Sequence, residues 1–208
     1  MASATDPSET VPHGTRARIL EAAEGLFADR GYAATSISDI TEASGVGRAL
    51  IYYYFRDKED LHEAILRDGG EQMLRIANEA YAAPGSALDR LRVFMLRFQQ
   101  LQVRRHSLAR IAMRSRLGDG PPATRRGEED FPLMFAVLAR IVREGVARGE
   151  LRRVDANQTV HMVLGLVHSL VMMELHAHSK SSPRRDLAFA TRLLAEGLAP
   201  RETGGKAS

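Results

Sequence analysis

The stretch Arg48-Ala49-Leu50-Ile51-Tyr52-Tyr53-Tyr54 carries the most specific chemistry in the chain. Wound as a helix at about 100° per residue, it sets Arg48, Ala49, Tyr52 and Tyr53 on one side. Leu50, Ile51 and Tyr54 fall on the other, where they would pack on neighbouring helices. A guanidinium can fork onto guanine O6 and N7, a methyl can touch that of thymine, and phenols can reach phosphate oxygens. Those four side chains have the types and spacing to read base edges.

Other chemistries find less support. His161, His168, His176 and His178, with Glu174, invite a metal reading, and a metal-responsive helical sensor or enzyme is one alternative. No HExxH occurs, because His62-Glu63 is followed by Leu66 at the ligand position. Paired helical histidines pack or hydrogen-bond more often than they ligate, so no metal is expected. With no cysteine, disulfides, thiolate zinc sites, iron–sulfur clusters and cysteine nucleophiles are excluded. Gly45-x-Gly47 lacks the preceding strand and third glycine of a dinucleotide fingerprint, and no nucleophile, base and oxyanion set stands out. No cofactor and no enzymatic activity are expected.

The recognition stretch must be held by other elements. The 208 residues, 44% hydrophobic and 26% charged, suit a globular chain with a substantial core. From Thr15 to Leu198 nearly everything reads as helix, about nine of them, with no period-2 strand and no repeat; the fold class expected is all-α. Breakers fall at Gly31, Gly45 to Gly47, Pro84-Gly85, Gly118 to Pro122, Gly149 and Ser181 to Pro183. Ile19, Leu20, Ala23, Leu26 and Phe27 form one buried stripe on the first helix. Gly31 is expected to end it in the left-handed C′ position. Ser36 and Asp39 have capping-box spacing for a second helix, and Asp57 is placed to cap a fourth. Two short helices joined by Gly45-Val46-Gly47 and braced by a longer one make a helix-turn-helix. There Ala43 would permit close helix approach, Gly45 would supply a positive φ, and Val46 would plug the angle.

At this point the stretch Thr15 to Leu61 resembles the DNA-binding domain of the tetracycline-repressor (TetR) family. The resemblance is carried by Arg18-Ile19-Leu20-Glu21-Ala22-Ala23, Leu26-Phe27, Gly31-Tyr32, Thr35-Ser36-Ile37, Asp39-Ile40, Ala43-Ser44-Gly45-Val46, Tyr52-Tyr53-Tyr54-Phe55 and Lys58-Glu59-Asp60-Leu61. It implies phosphate contacts from Thr35 and Ser36, base readout by Arg48, backbone and base contacts from Tyr52 and Tyr53, and a phosphate clamp at Lys58. Gly47 stands where serine is frequent in the family and Ala49 where glycine is. Both remain candidate contacts.

Residues 1–58 hold six Lys/Arg against eight Asp/Glu, whereas 59–208 hold 23 against 18. Binding to double-stranded DNA would then rest on a few placed contacts, with a moderate salt slope. The domains expected are a tail at 1–13, a helix-turn-helix domain at 14–60, a helical effector-binding and dimerisation domain at 61–199, and a tail at 200–208. In the second domain, Leu88, Leu91, Met95, Phe98 and Leu101 mark one buried helix; Phe131, Met134, Phe135, Leu138 and Val142 mark another.

The resemblance implies a small-molecule effector pocket after Pro84, with Met95, Phe98, Gln99, Gln102, Met113, Phe131, Phe135 and His168 as its candidates. His106 and Arg110 are further polar anchors. The last two helices, about Asp155 to His178 and Pro183 to Leu198, are the expected homodimer interface, because the first is apolar round much of its circumference. Its contacts are expected from Val163, Leu164, Val167, Leu170, Val171, Leu187, Ala190, Leu194 and Leu198. Resemblance implies a two-fold four-helix bundle there.

A repressor released from a near-palindromic operator by an effector is the function expected. A dimeric interaction module without DNA binding is the other alternative. The start Met1-Ala2-Ser3-Ala4-Thr5-Asp6-Pro7 lacks a signal-peptide pattern, and the apolar window Val160 to Met173 is interrupted by histidines and short of a membrane span. No membrane association and a cytoplasmic location are expected.

Overall fold

The computed structural model describes residues 14–121, 130–176 and 183–200. Nine helices are present among them: α1 (Thr15–Arg30), α2 (Ile37–Ser44), α3 (Arg48–Tyr54), α4 (Lys58–Ala82), α5 (Ala87–Arg104), α6 (His106–Arg116), α7 (Asp130–Ala147), α8 (Ala156–His176) and α9 (Pro183–Leu198). The described residues contain no strand. The tail expected at 1–13, and all but Pro200 of the one expected at 200–208, lie outside the described residues.

Two compact units are formed, Met1–Asp68 with Ser107–Gly127, and Gly69–His106 with Glu128–Ser208. A cut after residue 60 would pass through α4, and α6 belongs with the first unit.

The core of the first unit gathers Ile19, Ala23 and Phe27 of α1, Ile37 and Ile40 of α2, Ile51 of α3, and Leu61 and Ile65 of α4. Leu108 and Ile111 of α6 complete it. The sequence stripe on α1 is thus the buried one. Gly31 takes φ 89° as expected, but its ψ of 166° lies outside the left-handed helical well. The chain therefore leaves α1 extended, its Gly31 N–H still bonded to the Phe27 carbonyl at 3.1 Å.

The second unit packs Leu91, Phe94, Met95 and Phe98 of α5 against Met134, Leu138 and Val142 of α7, Val160, Val163 and Val167 of α8, and Leu187, Ala190, Leu194 and Leu198 of α9. A second capping box, Ser86 with Asp89, starts α5. Glu150 helps by accepting from the Ala87 N–H at 2.6 Å. Glu144 is held below the usual carboxylate range, first by the Tyr81 hydroxyl and then by Arg140. No helix of the described residues is long and apolar enough to cross a membrane.

Candidate nucleic-acid interface

Burial decides the register of α3. Ile51 is fully buried, Leu50 and Tyr54 pack on the same core, and Arg48, Ala49, Tyr52 and Tyr53 face solvent. Tyr53 is 73% exposed, far more than a tyrosine that contributes to a core. Its ring meets Tyr54 edge-on at 5.3 Å, and the rest of the phenol is presented to solvent, available to a ligand. Arg48 lies over the Tyr52 ring at 5.6 Å, with Nη2 donating to its hydroxyl at 3.3 Å. That intrahelical contact orients the guanidinium without burying it.

The turn before α3 is set by backbone chemistry. Gly45 adopts φ 63°, ψ 23°, the left-handed conformation a Cβ disfavours, and its N–H caps α2 at the Thr41 carbonyl. Val46 is buried between the helices as expected. Ala43 is exposed instead; the inward small residue is Ser44, whose Oγ accepts from the Val46 N–H at 3.2 Å. A serine serves better there because a buried turn N–H needs a partner. From α1, Arg18 donates to the Ser44 carbonyl at 2.7 Å and Arg16 covers the Phe55 ring at 5.3 Å. Gly47 stands at the N-cap of α3 without a side-chain cap.

At the start of α2, Ser36 and Asp39 form a reciprocal capping box. The Asp39 carboxyl is held below its ordinary range, chiefly by the Ser36 hydroxyl and then the Ser36 N–H. Thr35 is placed differently from the expectation. Its buried hydroxyl donates to the Gly31 carbonyl at 2.8 Å, so it points into the fold and not toward a phosphate. Lys58 also turns inward: Nζ donates to the carbonyls of Tyr32 and Thr35, both at 2.8 Å, and lies 4.2 Å from the Tyr32 ring centroid. Both groups satisfy loop carbonyls, and the Tyr32 carbonyl accepts from the Thr35 N–H at 3.4 Å as well.

His62 carried no sign in the sequence beyond lying in a helical stripe next to Leu61. It is 1% exposed, packed edge-on against Phe27 and Tyr32 with centroids 5.4 and 5.1 Å apart, and its Nδ1 has no hydrogen-bond partner. Desolvation pushes its pKa down to about 4, the Asp119 carboxylate opposing and Lys58 reinforcing.

The expected effector residues divide between the two units. Met95, Phe98 and Gln99 are buried in the second unit, Gln102 is half-buried, and Phe131 and Phe135 pair at 6.5 Å. Met113 lies instead on α6 in the first unit, and His168 faces solvent on α8. His106 is exposed, and Arg110 pairs with Asp29 at 2.9 Å in the first unit. Helical spacing cannot tell which helix a side chain meets, and α6 turned toward the first unit.

The expected dimer residues need a correction of face. Val163, Val167, Val171, Leu187, Ala190, Leu194 and Leu198 are buried within their own chain, and Leu164 and Leu170 are half-buried against the same core. The outward apolar face of α8 and α9 is Met162, Met173, Phe189 and Leu193, with Met162 65% exposed. Between these helices lies an open groove of about 470 Å³ lined by Met162, Leu166, Leu193 and Gly197, with Arg152 and Asp155 at its end. In a helix that is apolar round much of its circumference, periodicity shows that more than one face is apolar but not which belongs to the chain's own core.

Among the described residues no three His, Cys, Asp or Glu gather closely enough to hold a metal. Glu174, the His176 side chain and His178 of the histidine reading lie outside what is described.

Residues 19–65 match the family of bacterial regulatory proteins called tetR. Over 147 residues the chain is 30% identical to the HTH-type transcriptional repressor KstR2 of Mycolicibacterium smegmatis, covering 68% of this chain and 69% of the relative. The chain belongs to the TetR family. This TetR-family chain is a DNA-binding transcriptional regulator. It is also 50% identical over 52 residues to the regulator TtgR of Pseudomonas putida, a quarter of each chain. The fold matches that of the regulator FadR from Bacillus subtilis, solved in complex with stearoyl-CoA, with TM-score 0.74 at 23% identity over 87% of this chain and 98% of that one.

Proposed function

We propose that this regulator is a homodimeric repressor that grips a near-palindromic operator and lets go when a small-molecule effector binds its second unit. The observation that carries the reading is the α3 face: Arg48, Ala49, Tyr52 and Tyr53 outward, Ile51 fully inward. Ser36 and the α2 N-terminus add an anion-favouring end beside it, and Gly47 leaves room at the start of α3. Thr35 and Lys58 act by holding the loop before α2. Two such heads on a two-fold axis would meet successive major-groove faces about 34–36 Å apart.

The dimer would form through the outward faces of α8 and α9. Four large apolar side chains exposed there favour burial against a second copy. For the effector, the aromatic and thioether set Phe94, Met95, Phe98 and Phe135 supplies apolar walls, and buried Gln99 a polar anchor. Release requires that the ligand favour the conformation whose heads no longer match the operator.

Selection of bound duplexes from a random pool tests the reading. Enrichment of one inverted repeat supports it; enrichment of no sequence at low salt refutes it. Stearoyl-CoA, held by the B. subtilis protein, is the first effector to try, and release of the selected duplex on its addition is the result expected.

A further inference from the structure

The loop from Gly31 to Thr35 is pinned from two sides, and one side comes from far along the chain. Lys58 takes its carbonyls, as described above. One of its amides goes to Asp119, in the turn after α6: the Tyr32 N–H donates to Oδ1 at 3.2 Å. Arg114 fixes the carboxylate by donating from Nη1 to Oδ2 at 3.0 Å. Tyr32 and Asp119 are 87 residues apart in the chain.

The seat is close-fitting. A Cβ on Gly31 would lie 2.8 Å from Arg114 Nη1 and would overlap the Asp119 carboxylate, and φ at Gly31 is positive. The platform beneath is firm, since Leu108 and Ile111 of α6 are buried in the first unit's core and Arg110 pairs with Asp29 at the end of α1. What the loop leads into is Ser36, the N-cap of α2.

We propose that Asp119 is a positioning residue for DNA recognition, holding the Tyr32–Thr35 loop so that Ser36 and the α2 N-terminus meet a phosphate. The proposal rests on the operator-binding reading above. Asp119 touches no DNA itself. It satisfies the Tyr32 N–H and so ties the loop to α6's end, and the phosphate contact at the helix start depends on that order.

The test uses the full-length protein with Asp119→Ala and Asp119→Asn, the selected duplex and a random-sequence duplex. Asp119→Ala should weaken both duplexes alike, by about ten-fold, and lower the slope of log affinity against log salt by about one. Amide exchange at Tyr32 should speed up. Asp119→Asn keeps one acceptor oxygen and should fall between Ala and wild type; it also stands in if Ala does not fold. A merely structural role would lower the active fraction without altering the salt slope. Wild-type affinity and slope in both variants overturn the proposal while leaving the operator reading intact. A wild-type protein that selects no duplex overturns both.

Discussion

Arg48 is a side chain whose role is set by direction more than by partners. Its guanidinium is aimed outward beside Tyr52 on a helix whose opposite side is locked by Ile51. Arg48→Ala should cost about 1–3 kcal/mol of operator affinity and relax base choice at one position per half-site. Equal loss on selected and random duplexes, measured by titration, would remove the base-reading role. His62 acts in the opposite way, by staying neutral. With its pKa lowered to about 4 in the folded chain, the unfolded chain binds the extra proton first as acid is added. Stability is then full above pH 6.5 and falls by up to about 3 kcal/mol as the pH drops toward 4. His62→Phe should flatten that limb of the denaturant midpoint against pH. The carboxylates whose pKa values are lowered, Asp39 and Asp119 among them, act below this window. Arg48 and its neighbours were legible because amphipathic spacing alone separates the two sides of so short a helix. His62 was not, since its burial depends on rings contributed by α1 and the following loop.

At the scale of elements, the termini are where sequence and structure agree most closely. The Ser36–Asp39 box needs only residues three apart, so spacing announces it, and the same holds for Asp57, which accepts from the Asp60 N–H at 2.7 Å. Ser36→Ala should lower stability by about 1 kcal/mol and also reduce the salt slope of DNA binding, read by melting and by titration at several ionic strengths. Unchanged salt dependence would leave Ser36 a cap alone. The Gly45 turn was equally legible, whereas the inward choice of Ser44 over Ala43 was not. Both are small enough; the difference is a Val46 N–H left without a helical partner, which only the turn's geometry creates. Thr35 and Lys58 follow the same logic, drawn in by carbonyls of a loop whose path no local spacing specifies.

For the whole molecule, the informative surface is the outer side of α8 and α9. Met162→Asp combined with Leu193→Asp should yield monomers in light scattering and abolish preference for an inverted repeat over a half-site. Leu194→Ala, from the inner side, should instead cost about 2–5 kcal/mol of stability and leave the association of folded chains intact. A double variant that stays dimeric would place the interface elsewhere. The sequence by itself determined the all-helical class, the helix-turn-helix, its caps and the outward residues of α3. These depend on contacts within a turn or two, or on a face that a single helix defines. Only the tertiary structure decided that α6 joins the first unit, that Asp119 reaches the loop before α2, and which side of α8 is core. Such choices are made by packing between segments distant in the chain, where a hydrophobic stripe says that a face will be buried but not against what.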